Sequence, residues 1–181
     1  NANDTLSVVS GTYTIAAGDD GFHSDTYLVF YDGTVNITES TEGLEAGIIS
    51  IQGGTISLKS SDDGINATTD DTSIAIELQI SGGSVIVNAD GDGLDSNGSI
   101  TNSGNGALDY NSTFNISGGT LVASGSFGMA QTTSDSSTQS TLYVVFDQVQ
   151  SAGTTYSIKD ASGNEILSVT PQKEYQTIIV S

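Results

Sequence analysis

The chain contains no cysteine and no arginine, and its only cationic side chains are three lysines at positions 59, 159 and 173. Without cysteine it can have neither a disulfide framework nor a thiolate metal site. Against the lysines stand 22 acidic residues, which give a formal net charge of −19. Nucleic-acid binding needs a cationic surface that displaces phosphate counterions, so that class is excluded, and an anionic membrane surface is excluded for the same reason.

Long hydrophobic runs are also missing. No stretch approaches the ~18 consecutive apolar residues of a membrane helix, so membrane insertion is not expected. The first residues lack the basic and apolar pattern of a signal peptide, which indicates a mature or trimmed product. The apolar residues fall in short, regularly spaced runs, which argues against disorder. The acidity and the wealth of small polar residues favour a secreted, extracellular protein associated with the cell surface.

A glycine followed by threonine or serine recurs along the chain. The five copies begin at Gly11, Gly33, Gly54, Gly83 and Gly119, with spacings of 22, 21, 29 and 36 residues. The two shorter spacings equal one coil of a solenoid, and the longer ones admit insertions or a further coil. Glycine suits these corners because a sharp turn requires a positive φ or a close backbone approach.

Two further motifs repeat in step with this turn. One is acidic, as in Asp20-Gly21-Phe22-His23 and Asp63-Gly64-Ile65-Asn66, and the other is an apolar alternation, as in Leu28-Val29-Phe30. Three short strands per coil of about 21 residues predict an all-β fold, a right-handed parallel β-helix. Each coil buries its inward side chains only when neighbouring coils stack on it in register.

We expect one domain over residues 1–181, with coils from about 6 to 130 and capping strands over about 141–181. Two segments break the rhythm. Residues 68–76 lengthen a corner, and residues 100–111 carry a degraded copy of the acidic motif without its own Gly-Thr strand. From Thr141 the register changes to ordinary strands at residues 142–146, 155–158 and 177–180, which fits an element that covers the end of the solenoid.

Acidic residues concentrate in or beside the acidic motif. Stacked rungs lie about 4.8 Å apart, and two carboxylates at that distance repel by about 1 kcal/mol in water and about 3–4 kcal/mol at an effective dielectric of ~20. A column of them requires a cation, and three lysines cannot supply it. The predicted ligands are Asp19, Asp20, Asp25, Glu42, Glu45, Asp62, Asp63, Asn66, Asp90, Asp92, Asp95 and Asp109.

Hard oxygen ligands without cysteine favour several Ca²⁺ ions over zinc or copper, with Mg²⁺ as second choice because it requires a stricter octahedron. The alternative is a solvated acidic face, in which aspartate serves only its preference for turns. His23 could be a base or a group beside the metal, although a structural role is favoured. Tyr27, Tyr31 and Tyr110 could stack on sugar rings, but tyrosines on strands more often pack.

The ordered succession of motifs resembles a bacterial carbohydrate-binding domain family whose members are calcium-loaded, pectate-lyase-like parallel β-helices. The resemblance rests on residues 18–25, 42–46, 62–67, 91–99, 104–110 and 151 onward. It implies non-catalytic binding of acidic or cellulosic plant cell-wall polysaccharide, such as polygalacturonate, pectin or cellulose. It also implies calcium at the stacked loops, here at Asp20, Glu42, Glu45, Asp63, Asn66, Asp92 and Asp95.

Two other functions stay open at this point. A β-helix lyase takes a proton from the uronate with a strong base, usually arginine or lysine, and Lys59 is the only lysine within the predicted coils. Lys59 is thus a weak candidate for contact with polysaccharide as well as for catalysis. Alternatively, the exposed first strand at residues 6–9 could let copies stack into a homo-oligomer or an end-to-end surface filament.

Overall fold

The regular structure of the chain is entirely β. The computed structural model describes residues 1–96, 107–110, 114–128 and 130–181, and within these ranges every regular element is a strand. The strands are β1 (Thr5–Val8), β2 (Thr12–Ala16), β3 (Phe22–Phe30), β4 (Thr34–Glu39), β5 (Leu44–Ile51), β6 (Thr55–Lys59), β7 (Ile65–Ala67), β8 (Glu77–Ile80), β9 (Ser84–Asn88), β10 (Leu94–Ser96), β11 (Phe114–Ile116), β12 (Thr120–Gly125), β13 (Leu142–Gln150), β14 (Tyr156–Lys159), β15 (Glu165–Val169) and β16 (Tyr175–Val180).

Two seven-stranded sheets enclose a shared core, like the two layers of a sandwich. Successive strands alternate between the sheets from β1 to β6, so that β1, β3 and β5 belong to one sheet while β2, β4 and β6 belong to the other. Neighbours within each of these series pair in parallel. The all-β prediction is therefore confirmed, and the overall strand orientation is mixed because the C-terminal strands run antiparallel.

The sequence repeats pair in the register that their alignment predicts. Thr12 pairs with Thr34, Thr34 with Thr55, and Thr55 with Ser84. The number of strands per repeat differs from the expected three. In β3 and β5 the acidic motif and the following apolar run form one continuous strand. They separate into β7 and β8 where residues 68–76 lengthen the connection, and the next copies are the separate strands β10 and β11. The second predicted break, at residues 100–111, lies mostly outside the described residues.

The core consists of ladders of aliphatic side chains. Val35, Ile56 and Val85 pair in sequence along one sheet, and each is at most 1% exposed. Ile49, Ile51 and other inward residues of the first sheet complete the same cluster. Because every ladder member is covered by the strands on both sides, the core depends on stacking of the repeats rather than on any single repeat.

The glycine turns adopt the backbone conformation that the sequence predicts. Gly11, Gly33, Gly54, Gly83 and Gly119 all have a positive φ, between 82° and 120°. Each turn also bonds to the next one along the stack, since the amide of the residue after one glycine donates to the carbonyl of the preceding repeat's glycine, at 2.8–2.9 Å. A side chain at Gly83 would meet the backbone of the turn below it.

The C-terminal strands cover one edge of the second sheet. β16 pairs antiparallel with β12, and β13 pairs antiparallel with β16. β14 and β15 form a separate antiparallel hairpin. Strands were expected around residues 142–146, 155–158 and 177–180, where β13, β14 and β16 lie, whereas β15 was not predicted. In the described part of the chain, no helix is long and apolar enough to span a membrane.

Substitution of Gly83 by alanine should destabilise the fold more than the same change at Gly163. Both glycines have a positive φ, which costs a non-glycine residue about 1–2 kcal/mol. At Gly83 the new Cβ would also lie 2.7 Å from the Gly54 carbonyl oxygen, whereas nothing lies within 4 Å at Gly163. We expect about 1–3 kcal/mol of additional loss at Gly83. Urea denaturation of both variants measures it, and equal losses would contradict the stacked-turn geometry.

Candidate metal and polysaccharide site

The acidic loops lie directly on top of one another. The amides of Gly21, Gly43 and Gly64 donate to the carbonyls of Glu42, Asp63 and Asp92 respectively, at 2.9, 3.2 and 2.8 Å. Each acidic loop is therefore held by backbone hydrogen bonds to the loop of the next repeat. This is the stacking that the sequence alignment predicts.

Side chains of the following strands continue this alignment. His23 pairs with Glu45, Glu45 with Asn66, and Asn66 with Asp95. These four residues lie on β3, β5, β7 and β10, so the hydrogen-bonded strands of the first sheet position them. In-register pairing thus brings one side chain from each of four motifs into a single row. The row begins with the imidazole of His23 and continues with the oxygen-bearing side chains of Glu45, Asn66 and Asp95.

The first part of the site is a histidine cluster, which we define as Asp20, His23, Asp25 and Glu45. The His23 Nε2 atom lies 3.5 Å from Glu45 Oε1 and 3.6 Å from Asp25 Oδ1, and the Nδ1 atom lies 3.9 Å from Asp20 Oδ2. Ligand atoms of Asp20, His23 and Glu45 all lie within 4.8 Å of one another. Among the described residues, this is the one place where three histidine or carboxylate side chains come that close.

The second part is a carboxylate column, which we define as Glu42, Asp63, Asn66 and Asp95. The Asn66 side-chain amide donates to Glu42 Oε1 at 3.1 Å. The other two side-chain oxygens, Glu42 Oε2 and Asn66 Oδ1, are buried and have no hydrogen-bond partner. Buried oxygens without a donor are costly, so a donor or a cation would stabilise each of these two atoms.

The carboxyl groups of the column have pKa values well above their ordinary range. Burial, reinforced by the neighbouring carboxylate of Glu45, raises the pKa of Glu42 to about 8. Burial, reinforced by neighbouring carboxylates, raises the pKa of Asp63 and of Asp95 to about 6 each. Burial also raises the pKa of Asp20 and Asp109. Carboxylates in such surroundings are poorly stabilised as anions unless a cation joins them.

The column and the histidine cluster differ in what they offer an ion. The cluster brings together three carboxylates and an imidazole, whereas the column offers carboxylates plus the buried amide oxygen of Asn66. Calcium accepts carboxylate, amide and backbone oxygens in flexible geometry. The column donors therefore fit calcium, and the imidazole makes the histidine cluster a less pure oxygen site.

A cavity of about 570 Å³ opens beside the histidine cluster. His23, Asp25 and Glu45 line one side, and residues 68–71 with Ile74 line the other. The lengthened corner that the sequence indicates at residues 68–76 thus forms a wall next to the acidic site. Nothing in the sequence pattern alone placed this corner against the first repeat.

The remaining predicted ligands have separate surroundings. Asp19 and Asp62 are exposed. The Asp92 amide donates to Asp63 Oδ1 at 2.7 Å, and the Asp109 amide donates to the Leu94 carbonyl at 2.7 Å, which places Asp109 after the last described rung. The Asp90 carboxylate instead lies 2.6 Å from the Lys173 ammonium. This ion pair joins segments far apart in the sequence and was not predicted.

The aromatic candidates fall into two groups. Tyr27 and Tyr31 are 42% and 49% exposed, so their rings are available for stacking on a sugar. Tyr110 is partly buried, its hydroxyl donates to the Thr132 carbonyl at 2.7 Å, and its ring packs against Phe114. These contacts support the packing interpretation of Tyr110. Lys59 lies at the end of β6, one residue before the Ser60-Ser61-Asp62-Asp63 segment.

Without divalent cations, the free energy of unfolding should fall as pH rises from about 5 to 8. Between the ordinary glutamate pKa of 4.5 and its pKa of about 8 in the folded protein, Glu42 holds a proton that the unfolded chain has released. The unfolded state then binds fewer protons, so stability decreases with pH. Glu42→Gln should remove most of the decrease above pH 6, where Asp63 and Asp95 are already ionising.

Thermal midpoints in chelator at pH 5, 6, 7 and 8 measure this dependence. Glu77→Gln is the matched control, because Glu77 is exposed on β8 and lies outside both parts of the site. A wild-type thermal midpoint that stays level or rises between pH 5 and 8 would contradict the raised pKa values of the column. An equal effect of Glu42→Gln and Glu77→Gln would contradict them as well.

The sequence model of one protein family, described as "Carbohydrate-binding domain-containing protein", matches residues 1–121. The match covers both the histidine cluster and the carboxylate column. No curated protein and no solved structure matches the chain. Since the family match covers about two thirds of the 181 residues, the chain belongs to the carbohydrate-binding domain-containing family.

Proposed function

We propose that this protein is a secreted, cell-surface, calcium-dependent module that binds acidic plant cell-wall polysaccharide without cleaving it. Family membership supports carbohydrate binding in general. The calcium dependence and the acidic substrate are inferred from the site itself. Binding of an acidic polysaccharide depends on cations at the acidic site, because a protein of net charge −19 repels a polyanion unless cations lie between them.

The observation that carries the proposal is the pair of buried oxygens in the carboxylate column. Glu42 Oε2 and Asn66 Oδ1 have no partner, although Asn66 is 6% exposed and already donates to Glu42. Because the Asn66 side-chain nitrogen donates to Glu42, the Asn66 side-chain oxygen remains available to a cation. A Ca²⁺ ion held by these atoms and by Asp63 or Asp95 would satisfy the oxygens and reduce the negative charge of the column.

Calcium at the column would also create the polysaccharide surface. Asp62 is exposed beside Asp63, and Ca²⁺ takes six to eight ligands, so buried carboxylates need not occupy all of its positions. A uronate carboxylate can complete the coordination, which bridges two anions through one ion. Tyr27 and Tyr31 provide exposed rings that can stack on sugars elsewhere on the first sheet.

The pairing pattern supports a parallel β-helix as the scaffold of this surface. Strands alternate between two sheets, pair in parallel with the next repeat, and share turns at spacings of 22 and 21 residues. We infer that the chain winds in coils through about residue 130, in the right-handed sense that parallel β-crossovers prefer. The antiparallel β13 and β16 then cover the last coil.

A binding role is favoured over a lyase by the scarcity of strong bases. The chain has no arginine. The acidic site itself contains no lysine, because Lys59 and Lys173 lie at the neighbouring corner and Lys159 lies on the separate β14–β15 hairpin. Abstraction of the uronate proton needs a base close to the bridged carboxylate. We therefore expect no rise in unsaturated-uronide absorbance when the protein is incubated with polygalacturonate and calcium.

Calcium should stabilise the protein and cause it to bind polygalacturonate. One site seen only by the folded state contributes about 2.7 kcal/mol at a hundredfold excess of ligand over Kd. The double variant Glu42→Gln/Asp95→Asn should lose most of this rise in thermal midpoint and at least tenfold in affinity, equivalent to about 1.4 kcal/mol. Calorimetric thermal scans and pull-down on insoluble polygalacturonate measure the two effects.

Asp147→Asn, on the exposed face of β13, is the matched control and should behave as wild type. Chelator should abolish polymer binding by both the wild type and the control. Binding that persists in chelator, or a double variant that responds to calcium as the wild type does, would overturn the calcium-bridging proposal.

A further inference from the structure

A second pocket, of about 480 Å³, lies at the corner next to the acidic column. Its walls include the end of β4, the end of β6 with Ser60 and Ser61, and Asp90. The segment between β15 and β16 closes it with Gln172 and Lys173. Those last two residues lie outside the part that the family model matches, so family membership does not account for this pocket.

The pocket gathers two of the chain's three lysines, Lys59 and Lys173. In a protein with 22 acidic residues this concentration of positive charge is exceptional. The pocket's acidic members are Glu39 and Asp90, so its formal charge is zero where most of the surface is negative. The two lysines offset the two carboxylates of the pocket, so an anion meets less repulsion here than at the acidic site.

The two lysines have different tasks. The Lys173 side chain is 16% exposed, forms an ion pair with Asp90 at 2.6 Å and donates to the Ser60 carbonyl. The backbone amide of the neighbouring Gln172 donates to Asn88 Oδ1 at 3.1 Å. Lys173 therefore fastens the C-terminal segment over the corner. Lys59 is exposed, and no carboxylate of the described residues lies within ion-pair distance of its ammonium group.

We propose that this pocket binds the carboxylate of a uronic acid residue, with the Lys59 ammonium as its partner. One unpaired ammonium matches the single negative charge of a sugar carboxylate. The hydroxyls of Thr38 and Ser61 donate to backbone carbonyls but keep acceptor capacity for sugar hydroxyl groups. Glu39 offers a further acceptor. The site thus combines a cation for the carboxylate with acceptors for the ring.

The position of the pocket relates it to the calcium column. Ser60 and Ser61 line the pocket, and the next two residues, Asp62 and Asp63, belong to the acidic loop. A polyuronate chain bridged by calcium at the column would have a neighbouring sugar at this corner. The inference rests on the proposed function in that respect, and it assigns to Lys59 a direct, calcium-independent contact that a neutral polysaccharide cannot make.

The pocket is tested on the isolated sugar by NMR. Reductive methylation with ¹³C-formaldehyde retains the lysine charges and gives three dimethyl-lysine signals plus that of the N-terminal amine, and Lys→Arg variants assign them. In chelator, methyl galacturonide should shift the Lys59 signal in a saturable manner, with Kd on the order of 1–10 mM. Lys159, exposed on the hairpin, is the internal control and should not move.

Neutral methyl galactoside and acetate are the matched ligands. The proposal requires that galactoside leaves Lys59 unshifted and that acetate binds more weakly than the uronide. A Lys59 signal that methyl galacturonide does not move overturns the proposal. Equal responses to acetate and uronide overturn the sugar assignment, because the pocket would then bind any small anion.

The polymer provides a separate measurement. In calcium, Lys59→Met should weaken polygalacturonate binding about tenfold, as expected for loss of one charge-assisted hydrogen bond. Lys59→Arg should retain most of the affinity, and Lys159→Met should match the wild type. If neither the wild type nor any variant binds polymer while the wild-type Lys59 signal still responds to the uronide, the calcium-bridging proposal fails and the pocket proposal stands. If Lys59→Met binds polymer as tightly as the wild type, the pocket does not contribute.

Discussion

In-register parallel pairing is the constraint on which the rest of the molecule depends. It places each turn glycine against the glycine of the next repeat and each core aliphatic against its equivalent. The same pairing brings His23, Glu45, Asn66 and Asp95 into one row. A register shift of one residue would turn these polar side chains inward and the aliphatic ladders outward. The hydrophobic core therefore fixes the acidic site.

This coupling explains why the site is electrostatically strained. The core accepts no other register, so acidic groups remain stacked although burial and mutual repulsion raise the pKa of Glu42, Asp63 and Asp95. In the function that we propose, a divalent cation relieves that repulsion and joins the protein to an anionic polymer. The lysine pocket adds a contact of opposite charge at the same corner, where the C-terminal segment meets the repeats.

Much of this architecture could be predicted, because the alignment of the sequence repeats indicates which residues lie next to one another in the stack. Spacings of 21 and 22 residues predicted the register, the positive φ of the turn glycines and the alignment of the acidic loops. The fusion of two motifs into the continuous β3 and β5 was not predictable, since period-two alternation does not reveal where a bend interrupts a strand. The Lys173–Asp90 pair was missed because it depends on tertiary docking between non-repeating segments. Ile166 and its neighbours on β15 gave no distinct apolar alternation against the surrounding polar residues.

Calcium binding at the carboxylate column can be observed in a crystal structure determined in saturating calcium, with anomalous difference maps. We expect a peak within about 2.3–2.6 Å of Glu42 Oε2 and Asn66 Oδ1, the distance range of calcium–oxygen bonds. Carboxylate oxygens of Asp63 or Asp95 should complete the protein part of the coordination. Maps without a peak at the carboxylate column, from a protein whose register is unchanged, would contradict calcium binding there.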